Sequence, residues 1–303
     1  MTALRFLYDC DPGADDALAM LFALGRRDAL EMIAVTCVAG NVGLEPVLNN
    51  ARRILELAGR QDTPVYAGAA RPIMAARGRV SIMHGLDGLA DSPLPVPTMP
   101  LSPGHAATEI SRIARAEGKL HICATGPLTN LALALLLDPE LPQYVSAITL
   151  MGGAAFCPGN TTPLSEFNFA VDAHAAAIVF DSGIPLTMLG LDVTRQAVVT
   201  DYMIREAQTI GTPVALEAAR LLVHYGAKDP CLHDPSAIAW MLAPEIFKSV
   251  AGHVSICTDS GPAIGQVVAA VSERHLAGRS PNCTIVTGVD ADAFAGLFVD
   301  ALR

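Results

Sequence analysis

The chain has 303 residues, 51% hydrophobic and only 5% aromatic, which is enough apolar material for one large α/β core or two smaller ones. Twenty Lys and Arg stand against 30 Asp and Glu, a formal charge of −10 with no Lys/Arg-rich run, which disfavours nucleic acid, an anionic membrane or a polyanionic substrate and leaves neutral small molecules open. The seven cysteines are scattered without a C-x-x-C pair, the first residues lack a charged segment followed by an apolar one, and no window approaches eighteen uninterrupted apolar residues, so a soluble cytoplasmic protein with reduced thiols is expected.

Residues 4–8 read as a buried strand and residues 17–24 as an apolar helix. Between them lies Asp9-Cys10-Asp11-Pro12-Gly13-Ala14-Asp15-Asp16, four carboxylates in eight residues where a strand ends and a helix begins. In an open α/β sheet that is the carboxyl edge, where ligands bind. A helix dipole stabilises each charge by only about 0.3–1 kcal/mol, too little to offset the crowding. A hard cation resolves the repulsion, and oxygen-only donors favour calcium or magnesium over zinc. The plainer reading is a helix start decorated with acids. Asp9-x-Asp11 also resembles the nucleophile motif of haloacid-dehalogenase-type phosphatases, which have Thr or Val two residues after the second Asp, where Gly13 stands here.

Residues 31–38 form a second buried strand ending in Ala39-Gly40-Asn41, followed by a helix over about 44–58 and a short strand at 64–67. This βαβ rhythm predicts a mostly parallel sheet with right-handed crossovers. It breaks down over residues 70–103, a Gly- and Pro-punctuated loop long enough to be functional, which contains His84-Gly85-Leu86-Asp87-Gly88. Taken alone, His84 reads as a solvated loop histidine.

The rhythm resumes with a helix over about 105–117 and a strand at 120–125, running into Gly126-Pro127-Leu128-Thr129-Asn130, a tight turn with exposed backbone groups. A backbone carbonyl there can face a metal. A strand at 147–151 opens into a polar loop carrying Asn160, Glu166 and Asn168, side chains suited to a polyhydroxylated ligand or to ordinary turns. A helix at 171–182, a strand at 185–189 and helical segments over 200–243 follow. Within the last, His233-Asp234-Pro235 precedes a helix starting at Ser236, with Asp234 readable as its N-cap. Beyond Phe247 the pattern turns to short strands before a final helix at 291–302. The expected fold is one α/β domain over 1–303, with a mostly parallel Rossmann-like core flanked by helices and a small β-rich addition near the C-terminus.

With D-C-D-P-G-A-D-D, V-A-G-N, H-G-L-D-G, T-G-P-L-T-N, G-N…E-F-N and H-D-P in this order, the sequence resembles the inosine–uridine-preferring nucleoside hydrolase family, which cleaves the N-glycosidic bond of ribonucleosides. The resemblance implies that Asp11, Asp16, the Thr125 carbonyl and Asp234 hold one Ca²⁺. It implies that Asp15, Asn41, Asn160, Glu166, Asn168 and Asp234 grip the ribose, with Met151 beside the sugar and Phe167 and Tyr225 at the substrate. Asp11 is then the general base and His233 the leaving-group acid, with His84 a second histidine near the base in a loop able to close. Leu221, one turn before Tyr225, is expected in the base pocket, and Asp9 in support behind the metal. The implied partner is a small nucleoside, of pyrimidine or inosine type, in nucleoside catabolism or salvage, with the protein a homodimer or homotetramer. The alternative is a sugar- or nucleoside-binding protein of the same fold without turnover.

Overall fold

The computed structural model describes residues 3–74, 83–85 and 87–303. Residues 75–82 of the long loop and Leu86 of its His84–Gly88 motif lie outside the described residues, as do residues 1 and 2.

Strand β1 (Leu4–Cys10) leads into helix α1 (Ala14–Gly25), then β2 (Leu30–Cys37), α2 (Leu44–Leu57) and β3 (Val65–Ala67). After the long loop come α3 (Ala106–Glu117), β4 (Leu120–Ala124), α4 (Thr129–Leu137), β5 (Val145–Met151), α5 (Phe167–Val171), α6 (Ala173–Phe180) and β6 (Leu186–Leu189). A short α7 (Leu191–Thr194) opens the helical stretch α8 (Asp201–Ile210), α9 (Pro213–Gly226) and α10 (His233–Leu242). The chain closes with β7 (Phe247–Ile256), β8 (Val267–Ala270), α11 (Glu273–Leu276), β9 (Cys283–Val289) and α12 (Ala291–Asp300).

Among the described residues nine strands form one sheet in the order β3-β2-β1-β4-β5-β6-β9-β7-β8. Pairing is parallel from β3 through β6 and on to β9, whereas β7 runs antiparallel to both β9 and β8. The late strands are thus an antiparallel extension of the main sheet. The order reverses between β1 and β4, and this switch point opens a crevice at the strands' carboxyl ends. The acid cluster after β1 and the Gly126-Pro127 turn after β4 meet there.

Alternation along β1 divides the core. Phe6, Tyr8 and Cys10 face the cluster built with α1, α2, α9, α10 and α12, and Leu7 faces that built with α3, α4 and α6. The helix α12 closes on α1 by edge-on contacts of Phe22 with Phe294 and Phe298, with centroids 6.4 and 5.3 Å apart. Among the described residues no helix is long and apolar enough to cross a membrane.

Among the boundaries that differ from the sequence reading, two concern polar residues. The expected helix at 171–182 is broken at Asp172, whose backbone leaves the helical region (φ −140°, ψ 76°) while its carboxylate caps α6 by accepting from Ala175 N–H. Asp234 is not an N-cap, because α10 already begins at His233 after Leu232, which places Pro235 within the first turn where its missing N–H costs nothing.

Candidate active site

Asp9, Asp11, Asp15 and Asp16 are all buried, yet they take different surroundings. Asp9 lies on the Leu7 side of β1, where its Oδ1 accepts from Thr36 Oγ1 at 2.6 Å and from Asn130 Nδ2 at 2.8 Å. Burial pushes its carboxyl up to about 7 despite those two donors. It does not line the cavity described below. A phosphatase nucleophile at this position would have no route to substrate, so that alternative is set aside.

Asp11 Oδ2 accepts from Asn41 N–H at 2.6 Å, while Oδ1 is buried without a partner. A Cβ at Gly40 would collide with the Asp11 carboxylate, so only glycine lets β2's exit turn close over it. Asp16, in the first turn of α1, reaches back to accept from Gly13 N–H at 3.0 Å and also takes a hydrogen bond from Asn41 Nδ2 at 3.1 Å. Its other oxygen is 2.8 Å from Thr125 Oγ1, which is equally close to Tyr8 OH. The single Thr125 hydroxyl proton goes to the carboxylate, and the phenol donates to Thr125.

Asp234, from α10, completes a group with Asp15 and Asp16 in which one carboxylate oxygen of each lies within 4.8 Å of the others. Burial, then neighbouring negative charge, drives Asp11 and Asp234 well above the carboxylate range and Asp16 up to about 7. Among the described residues no Lys or Arg forms an ion pair with these carboxylates. The orphaned Asp11 Oδ1 and Asp15 Oδ1, together with an all-oxygen donor set, fit a hard divalent cation. The Thr125 carbonyl accepts from Asn168 Nδ2 at 2.7 Å and keeps a second lone pair.

Above this cluster lies a cavity of about 190 Å³ lined by Asp15, Asn41, Thr125, Met151, Glu166, Asn168 and Asp234 at one end and His84, Tyr225, Asp229 and His233 at the other. Phe167 and Asn160 are also in its wall, Asn160 at the exposed rim. Asp11 and Asp16 lie beneath the floor and do not line it. Glu166 caps α5, accepting from Asn168 N–H at 2.8 Å and, on its other oxygen, from Gly153 N–H at 2.9 Å. Burial still raises its carboxyl.

The histidines differ. His84 Nδ1 accepts from Ala14 N–H at 3.1 Å, which puts its proton on Nε2, and burial lowers its pKa, so it is neutral. Its ring stacks on Tyr225, centroids 5.5 Å apart and 23° between planes. The solvated-loop reading of His84 therefore fails, since the ring is buried. His233 has Thr194 Oγ1 2.7 Å from Nδ1 and Asp229 Oδ2 3.2 Å from Nε2. Burial opposes ionisation of Asp229, but the His233 hydrogen bond and charge hold it down to about 2.

Leu221 is fully buried in the core and absent from the cavity, because one turn before Tyr225 the α9 surface already faces inward. Conversely, Met83, Thr161 and Asp229 line the cavity without having been singled out. Only the four-residue spacing of Asp229 from His233 could have signalled its role.

Residues 6–296 match the family described as inosine-uridine preferring nucleoside hydrolase. The chain belongs to that family. A pyrimidine-specific ribonucleoside hydrolase RihA of Shewanella oneidensis is 43% identical over 309 residues, covering 98% of this chain and 95% of the relative. Among solved structures, a plant nucleoside hydrolase superposes with a TM-score of 0.93 at 28% identity, covering 99% of this chain and 98% of that one. A purine-preferring ribonucleoside hydrolase from Gardnerella vaginalis gives a TM-score of 0.91 at 29% identity, covering 98% of each chain. With the family comes the enzyme class, hydrolase of N-glycosidic bonds, and the α/β fold expected from the sequence.

Proposed function

We propose that this nucleoside hydrolase is Ca²⁺-dependent and acts on pyrimidine ribonucleosides, releasing ribose and the free base. The observation that carries the reading is the meeting of Asp15 and Asp234, at the floor of a cavity whose far end holds two histidines and a tyrosine, with Asp16 just beneath. The oxygen-only donors favour Ca²⁺. Bound there, a hard dication lowers the pKa of a water and offsets the carboxylates' mutual repulsion.

The remaining chemistry falls to the chain's own groups. Asp11, which with Asp16, Asp234 and the Thr125 carbonyl would hold the ion and its water, takes the proton of the attacking water. Asp15, Asn41, Asn160, Glu166, Asn168 and Asp234 hold the ribose hydroxyls, with Met151 against the sugar. Their carboxylates and amide oxygens stabilise the positive charge that develops on the ribosyl ring as the glycosidic bond breaks. His233 protonates the leaving base, which replaces Asp229 as the acceptor of the Nε2 proton. The neutral His84 offers a second N–H at that end, and its stack with Tyr225 gives the planar base an aromatic wall.

Pyrimidine preference is supported by the 43%-identical relative, which is named for pyrimidine specificity. The same reading takes the protein as cytoplasmic and as a homodimer or homotetramer, which light scattering distinguishes. Ribose release from uridine, cytidine, inosine and adenosine tests the substrate assignment. Uridine and cytidine are expected to be the better substrates. Faster purine hydrolysis would overturn the preference, and nucleoside binding without ribose release would make the chain a binding protein.

A further inference from the structure

Three side chains of different chemistry converge at the base end of the cavity, apart from the carboxylate floor. Asp229, Cys231 and His233 stand at every second residue, and one donor atom of each lies within 4.8 Å of the others. The arrangement is built by a local turn in which Cys231 N–H donates to Asp229 Oδ1 at 3.2 Å, while Asp229 Oδ2 meets His233 Nε2 at 3.2 Å. Cys231 Sγ contacts only weakly the Arg195 carbonyl, at 3.9 Å. It is half-buried rather than sealed in the core.

We propose that Asp229, Cys231 and His233 form a second, inhibitory metal site that takes Zn²⁺ or a similarly borderline-soft dication. One sulfur, one imidazole nitrogen and one carboxylate oxygen match zinc, whereas the all-oxygen floor matches a hard cation, so the two sites select different ions. Zinc bonds of about 2.0–2.3 Å place tetrahedral ligand atoms about 3.3–3.8 Å apart, within a small rotation of the present spacing. Asp229 and His233 line the cavity, so an ion held between them sits at its wall. Binding releases the Cys231 thiol proton to solvent, the neutral imidazole ligates through Nε2 with its one proton on Nδ1 toward Thr194 Oγ1, and Asp229 exchanges its hydrogen bond for a metal bond. The ion thereby removes the imidazole that serves the leaving base and occludes the base end.

The metal site stands on its own geometry, and only its inhibitory effect rests on the hydrolase reading. The test titrates calcium-loaded protein with Co²⁺ and follows thiolate-to-cobalt charge-transfer absorption, in the parent and in Cys231→Ser. In parallel, ribose release from uridine is measured against added Zn²⁺. The expected result is one equivalent of Co²⁺ with a thiolate band in the parent and no band in Cys231→Ser. That variant keeps parental hydrolysis without zinc and tolerates at least about tenfold more Zn²⁺. Absence of the band in the parent overturns the proposal, as does equal zinc inhibition of both proteins, which would put the ion on the carboxylate floor. If no nucleoside is hydrolysed, the hydrolase reading fails while the cobalt titration still decides the site.

Discussion

The phenol of Tyr225 donates to Asp15 Oδ2 at 3.1 Å, joining the end of α9 to the first turn of α1. The same ring stacks on His84, so one residue couples the sugar end of the cavity to the base end. Tyr225→Phe keeps the stack and removes the donor to a carboxylate, an interaction worth about 1.5–3 kcal/mol. The expected outcome is a fall of about 10- to 100-fold in kcat/KM for uridine, read by steady-state ribose release.

His233 is held from both sides, and Thr194 supplies the partner on Nδ1. Thr194→Val preserves shape and leaves that nitrogen unpartnered, which at about 1 kcal/mol lowers kcat for uridine about fivefold. A riboside with an activated leaving group needs no proton from His233, and its hydrolysis is expected to fall much less. Equal loss on both substrates would assign Thr194 to folding of α7 instead.

Asn130 carries a buried network behind the site, donating to Asp9 Oδ1 and the Cys37 carbonyl and accepting from Ala69 N–H. Asn130→Ala takes the side-chain partner from Ala69 N–H and the Cys37 carbonyl and leaves Asp9 Oδ1 with Thr36 Oγ1 as its remaining donor, and a loss of about 2–4 kcal/mol is expected in urea unfolding. Activity of the protein that remains folded is expected to stay within a fewfold of the parent.

Much of this was legible from residue order alone. The Asp9–Asp16 run announced a polar strand end because a buried strand and an apolar helix flank it, and the switch point between β1 and β4 brings Thr125 beside it as the βαβ rhythm implies. Asp234, on the other hand, is 218 residues from Asp16 in number and joins it only through the packing of α10 on α1. Local propensity misplaced Asp172 and Asp234 because each is decided by tertiary partners: Asp172 also accepts from Thr129 Oγ1 and Ile73 N–H, contacts no helix pattern encodes. Asp229 was invisible for a different reason, since in Gly226-Ala227-Lys228-Asp229-Pro230 it looks like turn chemistry, and its service to His233 depends on the turn's closure.

His121, on β4, is pushed down to about 4 by burial, against 6.5 for an exposed imidazole. Between those values the unfolded chain binds a proton that the folded chain does not, so stability rises with pH across the window. On acidification the loss begins near 6.5 and is complete below about 4, reaching at most about 3 kcal/mol and less after solvent screening. His121→Gln, which retains a hydrogen-bonding side chain toward Thr149, is expected to flatten the unfolding free energy against pH by up to one proton in that range. An unchanged slope would show that His121 titrates as freely in the folded chain as in the unfolded one.

A hard cation held by Asp11, Asp16, Asp234 and the Thr125 carbonyl is needed for ribonucleoside hydrolysis. This requirement is tested most directly by ribose release from uridine after the protein is stripped with chelator and then titrated with Ca²⁺, with bound metal measured at each point. Activity is expected to vanish on stripping and to return in proportion to calcium, saturating at one ion per chain. Full ribose release by protein shown to be metal-free would contradict the account.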